Sequence, residues 1–492
     1  METMSDHAAI QIVELKDAAA ESDARMIVEE QFQTTEIRPS APPVGSCEDT
    51  ITRCLDQVHR LLKETPRGFL AETSPHTIFR IPRPLRGIDP KAEEPEILSI
   101  GPYHRGRPQV LAFEKFKPLF LSRFLGRTEK DLKGLTELVA GMESSARACY
   151  SEHVDMTSCD FVQMMLLDGC FVVEFLLHIF GSGHETDEHD PIFARPQIIP
   201  ILIRDLLKLK NQIPYSLLQS LFKGAVPLDL VEELGTLATL AFKLFTLAYP
   251  RSMALIKPWW NREYEHLLDL FYSSLSPRRQ VHPKSRKKSW SSAQSVPCVT
   301  ELGPCGIKFK SKKADSLLDR SFRRRVLRIP DIPIKDFVNS VLIKPVLQIP
   351  SITIDDFMTT MLINCVSLEQ CRENRSKYMT DYVSFMHCLI NRPKDVSLLR
   401  SEGIIALFSH DDQRVADLFN KLRKNISYNV HDCFLSEQFK ELESYYHSDW
   451  AKMMRTYFSS PWSVISLFSA FLVILLAIIQ TYVAILTYCT HH

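Results

Sequence analysis

The sequence predicts a mainly α-helical body with a small β element, carried on a single C-terminal transmembrane helix. Three observations predict it. The last part of the chain is a charge-free apolar run, many earlier segments repeat apolar residues at helical spacing, and two stretches carry too much Pro and Gly for helix. The apolar run, Ser463 to Leu486, reads SVISLFSAFLVILLAIIQTYVAIL, and no Lys, Arg, Asp or Glu occurs from Thr456 onward. A helix needs about 20 apolar residues to cross the roughly 30 Å hydrocarbon core, and this run is long enough. Tyr457, Phe458 and Trp462 precede it and Tyr482 and Tyr488 close it, as interfacial aromatics do.

Lys452 and Arg455 lie just before the span, and Cys489, Thr490, His491 and His492 follow it. By the positive-inside rule the bulk of the chain is expected in the cytosol. The first residues, METMSDHAAIQIVELKDAAAESDARM, lack a basic region followed by an apolar core, so a tail-anchored, single-pass arrangement is the simplest expectation. It does not distinguish the plasma membrane from the endoplasmic reticulum. Twelve cysteines include no C-x-x-C pair, and Cys149, Cys159, Cys170 and Cys388 sit in apolar helical runs, as reduced core cysteines do. Sequons at Asn374 and Asn425 test the topology, because only an extracytosolic body would carry sugar on them.

At 492 residues, with 45% apolar and 24% charged side chains, the chain has room for two or three domains and a sizeable core. A formal net charge of zero argues against a dedicated nucleic-acid binder. Charge is uneven, however. The first forty residues lean acidic, while between Arg278 and Arg328 basic residues far outnumber Glu301, Asp315 and Asp319.

Residues 1–45 are polar and acidic and are expected to be disordered, ending at a Pro-Pro turn. Residues 46–276 form a helical N-terminal half. Ser46 opens a helix with Asp49 three residues on, and Ile51, Leu55, Val58 and Leu62 share one face. From Thr77 the chain turns extended, TIFRIPRPLRGIDP and then PEILSIGPYHRG, with two short strands or extended segments around Phe79 and Ile81 and around Ile97 and Ile100. Helices are predicted at 110–125 and 129–150. The next, Asp160 to Phe180, is almost wholly apolar, but Asp168 and Glu174 inside it mark a buried core helix rather than a second span. Two proline-bounded helices follow, the second started by Pro214, and then helices at 228–248 and 264–275.

Residues 277–297 read as a basic, Ser-rich linker. The C-terminal half, 298–458, opens on a short strand or hairpin, CVTELGPCGIKFK. A local duplication follows: VLRIPDIPIKDFVNSVLI at 326–343 is echoed by VLQIPSITIDDFMTTMLI at 346–363, which points to a repeated strand–turn–helix unit. Helices at 378–390, 396–408 and 413–424 precede a long one, 436–458, that leads into the span at 463–486.

The templates for catalysis fail one by one. No G-x-S-x-G, G-x-x-x-x-G-K-[ST] or G-x-G-x-x-G is present. In His184-Glu185-Thr186-Asp187-Glu188-His189 the histidines stand five apart, about 140° around a helix, so one metal cannot meet both. A solvated acidic loop is the better reading. Asp168 and Glu174 lie six apart on different faces and suit pairing with Arg or Lys of neighbouring helices. His104 sits in a Pro-Gly turn without an assigned partner. The run Lys284–Lys288 resembles a nuclear-import or nucleic-acid patch, but a solvated linker fits better; beside a membrane it would also attract anionic lipid, by around 1 kcal/mol per basic residue. No cofactor and no metal are expected.

Several stretches also match a family. SIGPYHRG at 99–106, the Glu114-x-x-Lys117 helix, MMLLDGCFVVEFL, RDLLKLKNQIPYSLL, TELGPCGIKFK, LINCVSLEQ, DYVSFMHCLI, DVSLLRSEGII, LFNKL and FSSPWSVIS occur in order between Ile51 and Tyr488. Together they resemble a plant protein family of unknown function, catalogued as domain of unknown function 247. Leu209-Lys210-Asn211 departs from the family's usual leucine-glutamate-asparagine, and the first repeat copy looks like an insertion. The resemblance implies a plant membrane-associated protein and brings no catalytic group. Some members are associated with pollen–stigma self-incompatibility in grasses; the resemblance does not imply that role for this chain.

The leading expectation is a non-enzymatic, membrane-tethered interaction or signalling protein with the lipid bilayer and a further protein as partners. Its candidate interaction surface is Ser99, Gly101, Tyr103 and His104 together with Lys284, Arg286, Lys287 and Lys288. The alternatives are an enzyme whose site is assembled from dispersed residues such as His104 and Asp168, and a nucleic-acid binder through the basic linker.

Overall fold

The computed structural model describes residues 55–57, 76–128, 130–181, 192, 195–226, 231–232, 234–276, 297–312, 317, 321–323, 345–372, 377–407, 411–426, 435–457 and 461–491. The chain divides into two compact units, Met1–Ser74 and Pro75–His492. In the first, residues 55–57 are helical. Most of the N-terminal segment, the basic linker with Lys284, Arg286, Lys287 and Lys288, the 184–189 loop, the repeat copy at 326–343 and Asn374 lie outside the described residues.

The second unit opens extended. Ile78 makes a single parallel bridge to Tyr150, and short 3-10 turns occupy Arg83–Leu85 and Pro102–His104. Of the two short strands or extended segments expected around Phe79 and Ile81 and around Ile97 and Ile100, neither forms a strand ladder; Pro82 and Pro84 beside the first and Pro95 and Pro102 beside the second withhold ladder donors. Helices then follow in order: α1 (Pro90–Glu93), α2 (Leu111–Glu114), α3 (Lys117–Arg127), α4 (Leu132–Gly141), α5 (Glu143–Ala148) and α6 (Ser158–Phe180). Two predicted helices are each split. Pro118 cannot donate to the carbonyl four residues back, so the chain restarts at α3; Gly141 and Met142 break the next one.

α6 is the axis of the body. Thr157 caps it by accepting from the Asp160 N–H, and fifteen of its residues are buried. α3, α4, α5, α8 (Tyr215–Ala225) and α9 (Leu237–Ala248) pack against it, with α7 (Ile199–Leu206) lying between α6 and α8 in sequence. Phe171 on α6 is ringed by Phe113, Phe120 and Phe175 at centroid distances of 5.4, 4.9 and 5.7 Å. Gly169 brings α6 close to α8: a Cβ there would lie 2.5 Å from Leu221 Cδ1. Each fully buried Leu or Phe of this core contributes about 1.5–3 kcal/mol. α10 (Met253–Ile256) and α11 (Leu267–Leu275) complete this half.

The second half begins with α12 (Val299–Leu302), and the predicted strand appears only at its end, as β1 (Lys308–Lys312). β2 (Ser321–Arg323) and β3 (Val346–Pro350) join it in the order β1-β3-β2, with β1 parallel and β2 antiparallel to β3; Phe309 and Phe322 both stand opposite Leu347. The second repeat copy forms β3, β4 (Ile352–Ile354) and α13 (Asp356–Cys371), the strand–turn–helix unit expected. α14 (Tyr378–Leu389) and α15 (Pro393–Ser401) follow. The helix predicted to reach residue 408 stops at Ser401, because Gly403 (φ +67°) turns the chain into β5 (Ile405–Leu407), which pairs parallel with β4. α16 (Asp412–Lys424) comes next. The long helix expected at 436–458 is two, α17 (Ser436–Tyr446) and α18 (Asp449–Tyr457); Ser448 Oγ accepts from Ala451 N–H and starts the second. α19 (Pro461–His491) contains the apolar run.

Both halves contribute to one apolar cluster. They are also joined by buried polar groups. Arg372 pairs with Asp269 (2.8 Å) and Glu265, and Asn364 accepts from Leu209 N–H while donating to the Ala92 carbonyl. Glu369 accepts from Tyr272 OH (2.6 Å) and from the Met379 and Thr380 N–H groups (2.7 Å each). Burial nevertheless pushes its carboxyl up to about 7, against these hydrogen bonds. A folded pKa above the unfolded value means that the folded state holds the extra proton, so stability falls as pH rises from about 4.5 to 7. Glu369→Gln is expected to flatten that slope, removing roughly 3 kcal/mol of pH dependence at most. Denaturant melts of both chains at pH 5 and pH 7.5 check it; parallel curves would dispose of the assignment.

Candidate partner-binding groove

Of the four described residues of the expected interaction surface, three are interior. Ser99 and His104 are each 1% exposed, and Gly101 is buried with φ +75°; a Cβ there would lie 2.6 Å from the Gln212 carbonyl oxygen. The surface expectation is therefore corrected for these three: the SIGPYHRG turn is a structural plug. Tyr103 is half-buried, edge-on to Tyr150 at 5.5 Å, with the Arg80 guanidinium 4.9 Å over its ring.

Side chains hold this proline-rich segment in place of a ladder. Asp205 on α7 accepts from the N–H groups of Glu96, Ile97 and Leu98, each at 2.9 Å, and from Lys208 Nζ at 2.9 Å. Asn211 Oδ1 accepts from Ile100 N–H at 2.7 Å, while its Nδ2 donates to the Leu98 and Asp205 carbonyls. Asp168 accepts from Gly101 N–H (2.8 Å) and from Lys117 Nζ (2.6 Å), and Lys117 also donates to the Ser99 carbonyl (2.6 Å) and to Glu114 (2.5 Å). Three ammonium hydrogens thus meet three acceptors. Glu174 pairs with Arg127 at 3.0 Å, so both buried carboxylates of the apolar helix are held by cations of α3, a neighbouring helix.

His104 and Asp168 bracket this segment without meeting. Both Asp168 oxygens are taken, and neither His104 ring nitrogen has a hydrogen-bond partner among the described residues. Burial, reinforced by Arg107, Lys210, Lys208 and Arg80, brings the His104 pKa down to about 3, so the ring is neutral at physiological pH. The geometry therefore does not join them as an acid–base pair. Lys210, at the departure from the family pattern, has its pKa lowered by burial, opposed by Glu93 and Glu94.

An open groove of about 800 Å³ lies elsewhere, at the carboxyl ends of the parallel strands β4 and β5. Ile354 and Leu407, the last residues of these strands, line it together with Ile88, Ala248, Phe357 and Leu418. Leu247, 56% exposed, adds an apolar side chain facing solvent. Each strand leads to a helix start. Asp355 caps α13 through Met358 N–H (2.7 Å), and Asp411 caps α16 through Arg414 N–H (2.9 Å). Crevices at the carboxyl ends of parallel strands are recurrent ligand positions, because the loops diverge there and the helix starts converge. Here the aspartate caps already satisfy helix-start donors, and their charges disfavour an anion. Five aspartates line the groove against Arg204, Arg414 and Lys421, and Arg204 is occupied by Glu96 at 2.8 Å.

Sequence reasoning missed this site because its lining runs from Ile88 to Lys421. The one local signal was Asp355-Asp356 after the β-branched run of the second repeat copy. Among the described residues no group of three or more His, Cys, Asp or Glu is placed to hold a metal ion.

The fold and groove define a class: a helical body with one small mixed and one small parallel sheet, a mixed apolar–acidic groove and an apolar C-terminal helix. The chain belongs to a plant protein family of unknown function, DUF247, which it matches over residues 78–476. It is 31% identical to the UPF0481 protein At3g47200 of Arabidopsis thaliana, across 84% of this chain and 86% of that one. With a putative UPF0481 protein, At3g02645 of the same plant, it shares 22% identity across 82% and 89% of the two chains. No solved structure matches it.

Proposed function

We propose that this plant protein is a non-enzymatic interaction protein, tethered to a membrane by α19 and presenting the β4–β5 groove to a protein partner. The supporting observation is a contrast between two apolar helices. Ser158–Phe180 and Phe468–Thr487 are both long and apolar enough to cross a membrane, but the first is 78% buried in the body and the second 0%. Exposed apolar surface on that scale needs a lipid or protein cover. Lys452 and Arg455 before the span favour a cytosolic body. α18 packs against the turn at Gly303–Cys305, and Tyr445 OH donates to the Cys305 carbonyl (2.8 Å), so the element preceding the span is docked on the body.

The test is fractionation of plant microsomes. The full chain is expected to resist carbonate extraction, and replacing Leu475 and Leu476 by arginine is expected to release it, since each costs about 2.5–3.5 kcal/mol at mid-bilayer. A tagged chain should capture a partner that Leu247→Asp loses. A carbonate-soluble parent would sink the tether, and sugar on Asn374 or Asn425 would overturn the cytosolic placement of the body.

A further inference from the structure

We infer that the partner segment seated in this groove is cationic, an arginine- or lysine-bearing peptide whose charged side chain enters between Asp89 and Asp356 while an apolar neighbour lies along the groove's apolar lining. The inference rests on the groove being the partner seat, and it names the partner's chemistry. The two carboxylates come from distant segments, and the chain already holds one guanidinium between them. Arg414 Nη2 stands 3.5 Å from Asp89 and 3.4 Å from Asp356.

That guanidinium is loosely held. Its side chain is 52% exposed, the two contacts are long, and solvent and salt screen pairs of this kind. Arg414 therefore marks a seat for a cationic group and leaves it open to exchange. The groove's charge works in the same direction, with five aspartates lining it against three cations. Its lining also includes the apolar side chains of Ile88, Ile354, Phe357, Leu407, Leu418 and exposed Leu247, against which an apolar neighbour of the arriving cation can pack. An acidic segment would face the same aspartates unpaired, which disfavours it.

The full chain in phosphatidylcholine nanodiscs would be titrated with a fluorescein-labelled arginine–leucine peptide and with its glutamate–leucine counterpart, followed by anisotropy. The arginine peptide is expected to bind saturably and less tightly as salt rises, and the glutamate peptide not to bind. Asp89→Asn with Asp356→Asn, which keeps the Asp89 cap acceptor, should weaken binding about tenfold; Arg414→Gln, by vacating the seat, should tighten it about threefold. Unchanged melting temperatures would exclude unfolding as the cause. Equal binding of both peptides, indifference to the aspartate pair, or weakening by Arg414→Gln overturns the inference. A Leu247-dependent partner whose contacting segment carries no arginine or lysine also overturns it, but leaves the groove as a partner seat. Absence of both peptide binding and capture removes both readings.

Discussion

Asp205→Ala is expected to cost about 3–5 kcal/mol, a large part of the roughly 5–15 kcal/mol that holds a typical domain together. Asp205 is 0% exposed and accepts four hydrogen bonds, three from consecutive backbone N–H groups and one from Lys208 Nζ. Alanine would strand those donors, and the Lys208 ammonium, itself 0% exposed, would keep only the Glu94 carbonyl. The segment from Glu96 to Leu98 has no ladder to fall back on, so it should detach first and become a protease target. Urea unfolding of the detergent-solubilised chain measures the loss, and limited proteolysis locates it. A loss below about 1 kcal/mol would show that the carboxylate is not what pins the segment.

A loss of similar size is expected for Asp168→Ala, with a more revealing second step. The Lys117–Asp168 pair is almost wholly buried, 1% and 2% exposed, so removing one member leaves a buried charge, a cost of about 3–5 kcal/mol. Replacing both, Lys117→Met with Asp168→Leu, removes the stranded ammonium and should recover part of it. Recovery stays incomplete because Gly101 N–H and the Ser99 carbonyl both lose their partner. The double-mutant cycle should give a coupling of about 2–3 kcal/mol. Additive losses would mean that the two groups are independently solvated.

How much of this was legible varies by element. α6 and α19 could be told apart from their own residues, since Asp168 and Glu174 interrupt one and no charge interrupts the other. Helix periodicity found most helices but missed their breaks. Pro118, Gly403 and Ser448 each act on one or two backbone hydrogen bonds, which a repeat summed over several turns does not resolve. The SIGPYHRG turn was recognised as unusual and placed on the outside, because Pro, Gly, His and Arg ordinarily mark surface loops. Its burial depends on Asp168 and Asn211, which accept from Gly101 and Ile100 across 67 and 111 residues.

The sequence by itself determined the helical body, the apolar helix at its end and the family, because these depend on local periodicity, uninterrupted hydropathy and ordered motifs. Only the tertiary structure decided which polar groups are interior, that β5 pairs with β4, and that a groove opens where those strands end. Each of these requires side chains from remote segments to meet at distances of a few ångströms, and a local pattern carries no record of which remote segment arrives.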